Sequence, residues 1–293
     1  MNNNKRIALT VDDLPYKSLS VNDKSKEGLE ITTLLLRHLK QNDVKATGFV
    51  IGGKIGEEEK RLDLLGKWQS DGHLLANHTY SHLRFSNISS DDFEKEVIKS
   101  EKILAPYWGK KTVKYFRFPY LDCGSTIEKI SKALDFLYKR SYIIAPVTID
   151  SGDYHFNRIY TDACLNNDVE MMQHVIDWYL EYTKEIVEFR ERQAMYFLNR
   201  PIGHIMLMHA NRINAYSLDR VIALFKRKGY EFVSLSEILN EPDSWENYAK
   251  INSPEYMSWQ VHSNNGKSER ICYPQITSEI LEVFKLRTDI AVP

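Results

Sequence analysis

Over the first 240 residues, short apolar runs alternate with longer stretches in which apolar residues recur every three or four positions. The short runs, at 6–11, 45–51, 73–77, 114–117, 141–149, 204–208 and 231–233, predict strands. Between them the 3.6-residue period predicts helices over approximately 25–41, 57–70, 89–108, 126–138, 168–197 and 215–228. Ser89, followed three positions later by Asp92, fits a capping box at the start of the third helix, and Gly229 fits the stop of the last. Strands that each feed a helix pair in parallel, because a parallel partner can be reached only through a crossover. The rhythm therefore predicts the α/β class, and within it a distorted (β/α) barrel of about seven parallel strands. An open dinucleotide-binding sheet is disfavoured, since no strand is followed by GxGxxG; Gly52-Gly53-Lys54-Ile55-Gly56 comes closest and lacks the spacing.

Beyond residue 240 the pattern weakens, leaving Trp245, Tyr248, Tyr256 and Trp259 among polar residues. The expected organisation is a barrel over 1–240 and an extension over 241–293 packed on it, ending in a short helix at 279–286. The stretch at 168–197 reads as an insertion larger than a minimal barrel needs.

Composition narrows the partners. Thirty-nine basic and 40 acidic residues give a formal charge of -1, which supplies no broad field for nucleic acid or an anionic membrane. No apolar run approaches the roughly 20 residues of a membrane span. The polar start Met1-Asn2-Asn3-Asn4-Lys5 runs straight into the first strand, so no leader is visible. That fits a cytoplasmic chain, or a secreted or periplasmic one from which the leader has been removed. Cys123, Cys164 and Cys272 are too dispersed for a disulfide framework or a structural zinc knuckle.

Candidate chemistry gathers at strand ends: Asp12 and Asp13 follow the first strand, His78 the third, Arg117 closes the fourth, Asp150 follows the fifth and His209 the sixth. In a barrel these ends converge on the C-terminal face, where catalytic groups sit. His78 and His82 are four residues apart, which on a helical turn would bring both imidazoles to one side, a spacing suited to a divalent ion. Alone, such a pair is more often an ordinary capped turn with hydrogen-bonded histidines. Two adjacent carboxylates at a strand end call for a cation or a shared proton, so Asp12 and Asp13 strengthen the metal reading, with one acid as ligand and the other as base. Two imidazoles and one carboxylate leave open positions for water and substrate. In Arg117-Phe118-Pro119-Tyr120 the guanidinium can hold a carboxylate while Pro119 fixes a turn that aims a backbone N–H at oxyanion charge. A carboxylate beside His209 would favour the imidazolium and make it a proton donor.

Taken together, these residues resemble the polysaccharide deacetylases of the NodB-homology, carbohydrate esterase family 4 type, with five motifs in order from about Ile7 to Ala210. The resemblance implies a metal-dependent hydrolase that removes acetate from an N-acetylated carbohydrate. In Thr10-Val11-Asp12-Asp13, where Val11 replaces the family's usual aromatic, it implies Asp12 as general base and Asp13 as metal ligand. His78-Thr79-Tyr80-Ser81-His82 matches fully and implies the other two ligands. Arg117-Phe118-Pro119-Tyr120 also matches, implying that Arg117 orients the base and that the Tyr120 N–H helps form an oxyanion hole. Asp153-Tyr154 stands where the family has Asp-Trp: Asp153 is implied to tune the acid, and Tyr154 alters the groove wall. Leu207 and His209 imply an acetyl-methyl pocket and the general acid, although Ala210-Asn211 depart from the usual follow-on. Pro119, Tyr154 and Leu207 are thus the substrate-binding candidates. Zinc is the implied metal, with cobalt, nickel or manganese able to use the same ligands. Two rivals are an amidase of the same superfamily acting on a small amide or imide, and a carbohydrate-binding protein without activity; the base beside the ligand set argues against the second.

Overall fold

The computed structural model describes residues 5–16, 24–55, 59–109 and 112–241. The expected extension and its terminal helix lie outside the described residues. The chain divides into two compact units, one of Leu9–Pro146 with His209–Asn211, the other of Met1–Ala8, Val147–Met208 and Arg212–Pro293.

In the first unit, strands β2 (Ala46–Val50), β3 (Leu74–Asn77), β4 (Lys114–Phe116) and β5 (Tyr142–Ile144) follow the later part of β1 (Lys5–Leu14), whose residues up to Ala8 belong to the other unit. The order is β5-β4-β3-β2-β1, every pairing parallel. Ile7 to Val11 are all buried without alternation, as a parallel strand covered on both faces requires. Helices α1 (Lys24–Gln41), α2 (Glu59–Ser70), α3 (Ser90–Leu104) and α4 (Ile127–Lys139) provide the crossovers. Ser89 caps α3 by accepting the Asp92 N–H, though Asp92 returns its carboxylate to the Ser89 hydroxyl and not to the backbone. The helix expected to run to 108 ends at Leu104, where Pro106 turns the chain into a 3-10 turn.

The second unit holds β6 (Ile149–Asp150), β7 (His204–His209) and β8 (Tyr230–Phe232), with β7 between β6 and β1 and β8 also on β1. Its helices are α5 (Asp153–Leu165), α6 (Val169–Leu198), α7 (Arg212–Arg227) and α8 (Leu235–Leu239), of which α5, α6 and α7 pack on one another. Gly229, at φ 80°, ends α7 as expected. The parallel strand-helix order is that of the expected β/α barrel class. The single strand expected at 141–149 is two, β5 and β6, because Pro146 cannot donate to a ladder. Helix α5 was not expected: Asn157 and Thr161 are buried on the same face as Phe156 and Tyr160, which hides the apolar stripe in the sequence. No helix among the described residues is long and apolar enough to cross a membrane.

Candidate metal and catalytic site

The two aspartates reach the site because β1 breaks its own pleat. Successive strand side chains point to opposite faces, so adjacent acids would normally diverge. Asp13 adopts a left-handed φ of 66°, and the register with β2 shifts between Val11 and Leu14. Both carboxylates therefore approach one imidazole: His78 Nε2 lies 3.6 Å from Asp12 Oδ2 and 3.8 Å from Asp13 Oδ1.

The histidines stand on a loop after β3. The helical turn expected for His78 to His82 is absent: Thr79 and His82 have φ of 63° and 57°, and side chains hold the loop instead. Asn77 Oδ1 accepts the Thr79 N–H at 2.9 Å, and Thr79 Oγ1 accepts the His82 N–H at 3.2 Å. Glu96 on α3 accepts both the Ser81 N–H and the Ser81 hydroxyl. His82 Nε2 then lies 3.2 Å from Asp13 Oδ1, and the two imidazole rings are 4.9 Å apart.

Asp13, His78 and His82 each offer one ligand atom, all within 4.8 Å of one another, so this trio could hold a metal ion. The donor chemistry fits. His78 Nδ1 is 2.9 Å from the Arg117 carbonyl, which can only accept, so Nδ1 carries the proton and Nε2 presents a lone pair. Burial pushes the His78 pKa down to about 4, which keeps the ring neutral as a ligand must be.

Arg117 is buried and braced on every side. It donates to Asp12 Oδ1 (2.7 Å), Thr10 Oγ1 (2.8 Å) and the carbonyls of Ala145 and Pro146 (both 3.3 Å), with its guanidinium 4.2 Å from the Phe49 ring centre. Burial raises the Asp12 pKa despite the opposing pull of Arg117 and His209. His209, at the end of β7, is near enough for its charge to act on both Asp12 and His78. Asp12 is also anchored by its backbone carbonyl, which accepts the Ala210 N–H at 3.0 Å. Pro119 is buried, whereas Tyr120 is exposed with a left-handed φ of 57°, its ring 4.6 Å from that of His82 and 4.1 Å from the Arg84 guanidinium.

Three candidates belong to the other unit. Leu207 is buried in β7 opposite Asp150. Asp153 opens α5, fully buried, and accepts a hydrogen bond from Asn214, whose Oδ1 accepts the Tyr179 hydroxyl at 2.9 Å. Tyr154 is half exposed, its ring 4.1 Å from His155. The supports Thr10, Phe49, Asn77, Glu96 and Asn214 were not singled out from the sequence; only Thr10, beside the acids, carried a local signal.

Residues 1–138 match the profile of the family "Polysaccharide deacetylase". The chain is 27% identical over 238 residues to a peptidoglycan-N-acetylglucosamine deacetylase of Bacillus cereus, covering 80% of this chain and 68% of that protein. To a chitin deacetylase of Colletotrichum lindemuthianum it is 27% identical over 247 residues, covering 82% of each. The solved structure of that fungus's chitin deacetylase is similar at a TM-score of 0.57, covering 83% of this chain and 91% of the other. A CE4 family pseudoenzyme from Bacillus anthracis, 23% identical with a TM-score of 0.54 over 82% of this chain and 67% of its own, shares the fold. Over residues 1–138 the chain matches the polysaccharide deacetylase family, and the curated relatives and the shared architecture extend that similarity across most of its length.

Proposed function

We propose that the chain is a metal-dependent deacetylase that hydrolyses the N-acetyl amide of an amino sugar in an oligo- or polysaccharide, releasing acetate and a free amine. The observation that carries this reading is the gathering of Asp13, His78 and His82 beside a carboxylate, Asp12, that is gripped by the buried Arg117. Asp13, His78 and His82 would hold the ion, zinc by default, and cobalt, nickel or manganese suit the same donors. When bound, such an ion polarises the acetyl carbonyl and acidifies a water molecule.

The chain's own residues divide the remaining work. Arg117 occupies Oδ1 of Asp12 and leaves Oδ2 toward His78, so that Asp12 takes the proton of the attacking water through one defined oxygen. Its raised pKa moves it toward the range in which a base works best near neutrality. The backbone N–H of Tyr120 donates to the oxyanion as the carbonyl becomes tetrahedral. His209 protonates the departing nitrogen as the C–N bond breaks. Pro119, buried two residues after Arg117 in the sequence, borders the sugar.

The test couples elemental analysis of purified protein to acetate release from chitin oligomers, peptidoglycan fragments, small acetamides and cyclic imides. One equivalent of metal and turnover of the sugars are expected, and His78→Ala should lose both. Turnover of imides without sugars would move the chain to an amidase role, and a metal-loaded protein inert on every substrate would make it a binding protein.

A further inference from the structure

Gly52-Gly53-Lys54, the run nearest to a nucleotide-binding glycine loop in the sequence, forms one 3-10 turn after β2. Its backbone faces the histidine loop: the Gly52 N–H donates to the Thr79 carbonyl at 3.0 Å and the Gly53 N–H to the Tyr80 carbonyl at 2.8 Å. Its side chain reaches the other way. Lys54 Nζ donates to the carbonyls of Asp13 at 3.3 Å and Tyr16 at 3.1 Å, both in the aspartate loop. Immediately before the turn, the Ile51 N–H donates to the Leu14 carbonyl at 3.1 Å.

We infer that Gly52 to Lys54 is a clamp that fixes the spacing between the carboxylate-bearing and imidazole-bearing loops, with Gly53 and Lys54 as positioning residues for the site. The inference rests on reading Asp13, His78 and His82 as metal ligands. Both loops need an external hold, because Asp13, Thr79 and His82 occupy left-handed backbone conformations that persist only when the surroundings impose them. Carbonyls turned out of a ladder must also find donors, and the clamp supplies four. Glycine is required by the closeness of the approach. A Cβ on Gly53 would stand 2.6 Å from the Tyr80 carbonyl oxygen, and one on Gly52 would stand 2.9 Å from Ser100 Cα, both backbone atoms that cannot swing aside.

Partners that orient metal ligands typically affect affinity by about 10–100-fold when lost. Lys54→Met and Gly53→Ala should each weaken zinc binding, read by competition with a chromophoric chelator, by at least about tenfold. Lys54→Arg, which can still donate to two carbonyls, should recover most of it. In metal-free protein, amide hydrogen exchange in Lys54→Met should quicken at 12–16 and 78–82 together while the helices keep their protection. Unchanged affinity in Lys54→Met, or exchange that rises throughout the chain, would overturn the clamp. A parent protein that takes up no zinc, while exchange in Lys54→Met still rises at both loops, would overturn the metal reading and leave the clamp standing.

Discussion

Asp12 is pulled two ways, and the balance decides what it can do. Burial opposes its charge, whereas Arg117 at 2.7 Å favours it, and the net effect is a raised pKa in a carboxylate that still has its cation. A base that must accept a proton near neutrality needs such a compromise. Asp12→Asn keeps the shape and the three candidate ligands, so zinc content should stay near that of the parent while acetate release falls by about 10²–10⁴-fold. His209→Ala should show the same separation of metal content from turnover. Normal turnover in either variant would remove that residue from the proton transfers.

At the scale of elements, the site stands on an aromatic layer that no single motif announces. Phe85 before α3, Phe93 on α3, Phe116 on β4 and Phe118 just beyond it are all buried in one cluster, Phe93 and Phe118 each meeting the other three, with their own rings stacked at 5.4 Å. This layer joins the segment after His82 to the strand that delivers Arg117. Phe93→Ala should cost about 3–5 kcal/mol of stability, measured as a lower urea midpoint at unchanged slope. A loss below about 1 kcal/mol would mean that the layer closes over the cavity without harm.

For the whole molecule, acid is the expected weakness of the metal-free protein. Burial pushes His73 and His78 down to about 4 and His204 down to about 3, all below the ordinary 6.5. The unfolded chain takes up these protons first, so the folded state keeps its full advantage above pH 6.5 and loses it as pH falls toward 4. Each histidine can contribute up to about 1.4 kcal/mol per pH unit within that window. Asp12 has the opposite sign, since its raised pKa favours the folded state in acid and opposes it as pH rises above 3.8. The His155 pKa is lowered by burial as well, so the histidines outweigh Asp12 and predict a net fall, to be read as urea midpoints of chelator-treated protein between pH 7 and 4. A flat profile would show that these imidazoles find water or a counter-charge on folding. His204→Leu should make the slope shallower.

The sequence by itself determined the strand-helix order, because burial on both faces of parallel strands and on one face of each helix leaves a period that can be counted. It also held the candidate residues, since acids, imidazoles and a guanidinium falling at successive strand ends are a one-dimensional record of a three-dimensional convergence. Tertiary structure alone decided how they meet. No local rule foretells that Asp13 turns left-handed so that both carboxylates approach His78, or that His78 and His82 share a side without a helical turn. The same holds for the division of 141–149 by Pro146, for the polar-faced α5 and for the passage of Lys54 to the aspartate loop. The approach of Asp13 to His78, the polar face of α5 and the reach of Lys54 depend on partners tens of residues away, and hydrogen bonds over such separations leave no period in the chain.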